Sequence, residues 1–139
     1  MKSLSEIDTV SKRSSRAAGF DWGVAEEVGK NIRMLEMLGL PGIKNLSYYY
    51  KIRSKKNFEK INLINEDNKK ALLEYCPITA GVNFLDQVRN LENLSEIKFK
   101  NVAFPILFLP FVSRASEIVG KKILLKVDNT NFLLNYNNS

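Results

Sequence analysis

Histidine is absent from this chain, and cysteine occurs once, as Cys76. Without an imidazole, the commonest general base and the commonest metal ligand are both missing. One copy cannot assemble a Ser-His-Asp or Cys-His arrangement, and one thiol alone does not make a zinc site. A single cysteine forms no internal disulfide, which suits a reducing, cytoplasmic compartment. Neither Gly-x-x-x-x-Gly-Lys-Ser/Thr nor Gly-x-Gly-x-x-Gly occurs, so the common phosphate cradles are lacking. The sequence therefore assigns no catalytic residue, no metal ligand and no cofactor. Long apolar runs are scarce too. The longest, Val102–Val112, is too short to span a bilayer and holds two of the four prolines. The N-terminal stretch carries Glu6 and Asp8 where a signal peptide would have its apolar region. A soluble cytoplasmic protein without a membrane segment is expected.

What remains is 139 residues, enough for one domain with its own core. The net charge is +6, and lysine supplies 15 of the 21 cations. Lysine, asparagine and isoleucine share AT-rich codons, so codon bias accounts for much of this excess. Nucleic acid is disfavoured as a partner on these grounds.

The expected fold class is α+β, a mostly helical single domain with a small antiparallel sheet near the C-terminus. Three segments are expected: a helical unit over 1–50, a variable connection over 51–75, and a helix, strand, apolar helix and hairpin over 76–139. Ser3 and Glu6 have capping-box spacing and open a helix to about Ala18. Its inner face is expected to hold Leu4, Ile7, Val10, Ser14, Ala17 and Ala18, and Gly19 ends it. Asp21 caps a second helix through about Leu38, with Val24, Ala25, Val28, Ile32, Leu35 and Leu38 as its apolar stripe. Gly39 ends that helix, and Pro41 starts a third, running to about Tyr50.

Lys51–Lys60 and Asn65–Lys70 are polar and expected as loops, with a short strand at Phe58–Ile64. Pro77–Arg89 is expected as a helix burying Ile78, Val82, Leu85 and Val88. Glu96–Asn101 alternates as a half-buried strand does. Pro105 is expected to begin an apolar helix ending at Gly120 and kinked at Pro110. Lys122–Val127 and Phe132–Tyr136 flank the turn-forming Asp128–Asn131 and are expected as a hairpin. Leucines 124, 125, 133 and 134 place apolar side chains on both of its faces. A second subunit or another strand, such as 97–101, is expected to cover one of them.

Ser3–Ile7, Arg16–Lys30, Leu38–Gly42, Cys76–Gly81 and Phe104–Pro110 together resemble a proteobacterial family catalogued only as a domain of unknown function, the 3726 family. The resemblance spans most of the chain except 51–71. It implies one fold across the chain and carries no activity with it. The resemblance implies a short form, since family members usually continue past the hairpin.

Trp22, Glu26, Gly29 and Arg33 recur on one helical face, opposite the apolar stripe, with Arg16 nearby. As a binding or interface surface, the indole would present its flat ring, Gly29 would admit a partner backbone, and Glu26 and Arg33 would orient it. Packing of Trp22 on a neighbouring helix is the alternative. Glu26 and Glu27 diverge by about 100° and cannot act as a carboxylate dyad. Cys76 before Pro77 is a nucleophile only if its thiol is activated, and a buried junction thiol is the commoner case. Arg114 and Glu117 are spaced as an ordinary helical ion pair.

Three functions fit this pattern. The favoured one is a non-catalytic, self-associating interaction or accessory protein, a homodimer with a possible protein partner. A small-molecule-binding protein or weak carboxylate enzyme using Arg16, Trp22 and Glu26 is second. A DNA-binding module is third. Against it, Asp21, Glu26 and Glu27 load the turns that would approach phosphates. Tyr48–Arg53 with Lys55 and Lys56 is the better basic-aromatic patch.

Overall fold

The computed structural model describes residues 3–68, 73–91, 93–94, 96–99, 102–127 and 130–134, with the side chains of 124–134 outside the description. The fold is α+β and mostly helical. The chain divides into two compact units, 1–57 and 58–139.

The first unit is three helices: α1 (Leu4–Ala17), α2 (Trp22–Met37) and α3 (Gly42–Arg53). The Ser3 hydroxyl accepts from the Glu6 N–H at 3.2 Å and donates to the Glu6 carboxylate at 3.3 Å, so the expected capping pair opens α1. At its end the Gly19 N–H donates to the Arg16 carbonyl (3.0 Å) and the Phe20 N–H to the Ser15 carbonyl (3.1 Å). This is the Schellman pattern, and it needs the φ of +104° that Gly19 supplies. The end of α2 repeats it, Gly39 donating to Glu36 and Leu40 to Leu35.

The buried face of α1 is Ile7, Ser11 and Ser15. Val10 is 40 % exposed, Ala17 is exposed, and Leu4, Ser14 and Ala18 are half-buried, so the inner face is rotated from the one expected. The reason is proximity. A Cβ on Gly29 of α2 would stand 2.9 Å from the Asp8 carbonyl oxygen. Helices this close admit serine where valine would not fit. On α2, Ala25, Val28, Ile32 and Leu35 are buried as expected, whereas Leu38 is 55 % exposed because it sits at the C-cap.

Pro41 is the N-cap of α3, not its first residue, and the helix continues three residues past Tyr50. A Glu36 oxygen accepts from the Ile43 N–H at 2.9 Å, placing a carboxylate at the positive end of α3. Gly42 lies against Ile32 and Leu35.

In the second unit α4 (Pro77–Leu91) and α5 (Leu109–Val119) pack together. Ala80, Phe84, Val88 and Leu91 of α4 share a core with Phe108, Val112, Ala115, Tyr75, Ile61 and Ile64. Val82 and Leu85, expected inside, are half-buried, Leu85 packing against the edge of this core. The strand expected at 58–64 reduces to one bridge, Glu59 to Tyr75. Helix α4 satisfies that segment's backbone instead. Asn83 donates to the Ile61 carbonyl (2.5 Å), and Gln87 accepts from the Ile64 N–H (2.9 Å) and donates to the Asn62 carbonyl (2.6 Å). A segment paired this way needs no neighbouring strand.

Among the described residues, strand β2 (Lys98–Phe99) does not border the hairpin. It pairs in parallel with β1 (Asp67–Asn68). The buried Asn68 amide ties this pair, donating to the Asn65 and Lys98 carbonyls at 2.8 and 2.9 Å. Strands β3 (Ile123–Val127) and β4 (Thr130–Leu134) pair antiparallel, with Val127 opposite Thr130. Thr130 and Asn131 thus belong to a strand, not to the expected turn. Asp128, Asn129 and 135–136 lie outside the described residues, as do the leucine side chains expected on both faces.

The helix expected from Pro105 is divided into a 3-10 turn at Pro105–Leu107 and α5. Pro110 lies in the first turn of α5, where its missing N–H has no carbonyl to serve, so it starts a helix rather than kinking one. Phe104 carries the chain into this turn in the left-handed region, at φ 47°.

A Cβ on Gly81 would lie 2.5 Å from Cγ of Phe111, so α4 and α5 meet ring against backbone. Gly81→Ala is expected to destabilise the protein by about 1–3 kcal/mol in urea unfolding. The same change is expected to cost less in a Phe111→Leu background, because the smaller side chain can give way.

Candidate functional site

Where α1 turns into α2, two guanidinium groups are stacked on aromatic rings. The Schellman turn brings the Phe20 carbonyl back beneath α1, where Arg16 Nη1 donates to it at 3.0 Å. That bond holds the Arg16 guanidinium carbon 4.7 Å from the centre of the Trp22 ring. Asp21 accepts from the Val24 N–H at 2.9 Å, which makes Trp22 the first residue of α2. Trp22 is still 58 % exposed. An open cation–π contact contributes about 0.5–1 kcal/mol, enough to orient an indole but not to hold a fold.

The second stack lies on the other side of the turn. Arg53, the last residue of α3, has its guanidinium carbon 4.4 Å from the centre of Phe20, and its Nη1 donates to the Tyr49 hydroxyl at 3.4 Å. Phe20 and Tyr50 are 6.2 Å apart between centroids. Ser15 donates to the Ser11 carbonyl (2.8 Å), so Tyr50 is the donor in the 2.6 Å Tyr50–Ser15 bond. In sequence Tyr50 and Arg53 belong to the basic-aromatic patch, while Ser15 and Phe20 carry no such signal, since nothing in local spacing connects residue 53 with residue 20.

Of the five residues marked in the sequence, the structure brings two together, Arg16 and Trp22. Glu26 and Arg33 are exposed farther along the same face of α2. From Trp22 to Arg33 the face is about 16 Å long at 1.5 Å per residue, so it forms a row and not a convergent pocket. Gly29 departs from its expected role. It is buried, and the backbone that approaches it is that of Asp8 in α1.

Cys76 is buried at the start of α4, and its sulfur accepts from both the N–H and the hydroxyl of Thr79 at 3.4 Å. Arg114 has its guanidinium carbon 5.7 Å from the Phe111 ring centre. Among the described residues, no group of three His, Cys, Asp or Glu side chains could hold a metal ion. No helix among them is long and apolar enough to cross a membrane.

The Arg16–Lys30 segment that builds this turn lies inside a match, over residues 2–74, to the family described as Protein of unknown function (DUF3726). The chain belongs to the DUF3726 family. In this DUF3726 chain the match includes Ser3–Ile7 and Leu38–Gly42 and runs through 51–71, which the resemblance had left out. Cys76–Gly81 and Phe104–Pro110 fall beyond it. No curated protein and no solved structure matches the chain.

Gly29→Ala is expected to cost about 1–3 kcal/mol in thermal or urea unfolding, because its Cβ would meet the Asp8 carboxylate and, at 2.9 Å, the Asp8 carbonyl oxygen, and only the carboxylate can turn away. Arg16→Met is expected to cost no more than about 1 kcal/mol. It should nonetheless change the emission spectrum, since Trp22 is the chain's single tryptophan.

Proposed function

We propose that this protein is a non-catalytic interaction protein of the cytoplasm. It self-associates as a homodimer, or serves as an accessory subunit to a protein partner, through the Arg16, Trp22, Glu26 and Arg33 row. One observation carries this reading: Trp22 is more than half exposed and yet held in place by Arg16. An indole oriented before binding loses little rotamer freedom on association, and tryptophan and arginine are the side chains that most often anchor interfaces. Glu26 and Arg33 add charge complementarity. In a two-fold pairing, Glu26 of each copy can meet Arg33 of the other. Met37 and Leu38, 61 % and 55 % exposed, supply further apolar area at the end of α2.

A carboxylate enzyme built on Arg16, Trp22 and Glu26 has less support, because an open row does not exclude water from a reacting group. Duplex DNA read by α2 has less still, with Asp21, Glu26 and Glu27 at the leading turns.

Sedimentation velocity at micromolar concentration tests the proposal, and a homodimer is the expected species. Trp22→Ala is expected to weaken it at least tenfold. Arg33→Glu should weaken it too, and the charge swap Glu26→Arg with Arg33→Glu should restore it. A wild-type monomer that recruits no protein partner would end this reading.

A further inference from the structure

Helix α3 has two stripes of opposite character. Gly42, Leu46 and Tyr49 are buried. Two positions on, at the same four-then-three spacing, Lys44, Tyr48 and Lys51 are exposed on the opposite face. Lys55 continues that stripe in the turn beyond the helix, where its N–H still bonds to the Ile52 carbonyl at 2.9 Å. Between Glu36 and Glu59 the sequence contains no aspartate or glutamate, while Lys44, Lys51, Arg53, Lys55 and Lys56 all lie there. The nearest carboxylate in sequence, Glu36, is bound to the Ile43 N–H at the far end of the helix.

We propose that this outer face of α3 binds single-stranded nucleic acid without sequence preference, its lysines on phosphates and Tyr48 on a base. This goes beyond the self-association proposed for α2 and uses a different helix. Charge complementarity argues for a polyanion, and three features select which one. The stripe's cations are all lysine, a point charge that accepts phosphate from many directions. Arg16 and Arg53 are engaged on rings, which leaves the phosphate contacts of this stripe to its lysines. Tyr48 is 53 % exposed between lysines, the arrangement of a stacking platform, and only an unpaired base offers its flat face to such a ring. A membrane surface is a poorer occupant, because an interfacial helix must sink an apolar face and α3 has Leu46 and Tyr49 already buried.

The test is fluorescence anisotropy of a labelled mixed-sequence single-stranded oligonucleotide titrated with the full chain over a series of salt concentrations. Binding at low salt is expected, with a log–log salt slope of about −2, at roughly −0.7 for each of three phosphates. Lys51→Glu with Lys55→Glu should weaken binding at least tenfold and flatten the slope. The neutral pair Lys51→Gln with Lys55→Gln serves the same purpose should the charge reversal not fold. Tyr48→Ser should weaken binding about fivefold or more with the slope unchanged. Trp22→Ala, which tests self-association, should leave oligonucleotide binding as it is. The proposal is overturned by absent binding at low salt, or by lysine variants that bind like the wild type. It is overturned equally if polyglutamate or anionic vesicles displace the oligonucleotide at matched charge, since the surface would then read charge alone.

Discussion

Where α2 passes α1, the Asp8 carbonyl oxygen occupies the space beside Gly29 that any other residue's Cβ would need. This contact sets the spacing of the two helices, and much of the first unit follows from it. The buried positions of α1 are Ile7, Ser11 and Ser15, the two serines being small enough for a close approach. Ser15 then stands where Tyr50 of α3 can donate to it. The turn between the helices leaves Arg16 over Trp22 and sets Phe20 beside Tyr50 and Arg53.

Arginine and lysine do different work here. Arg16 and Arg53 lie on rings and orient them, a use suited to a planar, weakly hydrated cation. Lys44 and Lys51 on α3, and Lys55 in the turn beyond it, are exposed, and their compact ammonium groups stay hydrated. Three of the lysines, in one acid-free segment, share an exposed stripe. The row on α2 differs in containing charges of both signs and an oriented indole.

The signals that ended and capped helices were legible because they are local. Ser3, Gly19, Asp21, Gly39 and Gly120 each act within a few residues, and the backbone bonds at each are those their types imply. Burial was harder to read. Hydrophobic periodicity put Val10 and Ala17 inside α1, whereas the tight crossing selected serine. Periodicity also suggested a strand at 58–64. Asn83 and Gln87, more than twenty residues away, satisfy that backbone instead. Pro110 showed a third kind of limit: its chemistry was clear, but its meaning depended on whether the helix began before it or at it.

For the candidate surfaces, sequence alone determined the inventory: no imidazole, one thiol, one tryptophan and a run of lysines without acids. Residue types survive any folding, so the catalytic classes they exclude stay excluded for a lone copy. Only the tertiary structure decided which groups meet. Arg16 reaches Trp22 through the geometry of a turn, Arg53 reaches Phe20 across thirty-three positions, and Gly29 faces its own chain rather than a partner. Such contacts depend on helix spacing and crossing, and those are set by side-chain volumes on two elements at once, which no single segment encodes.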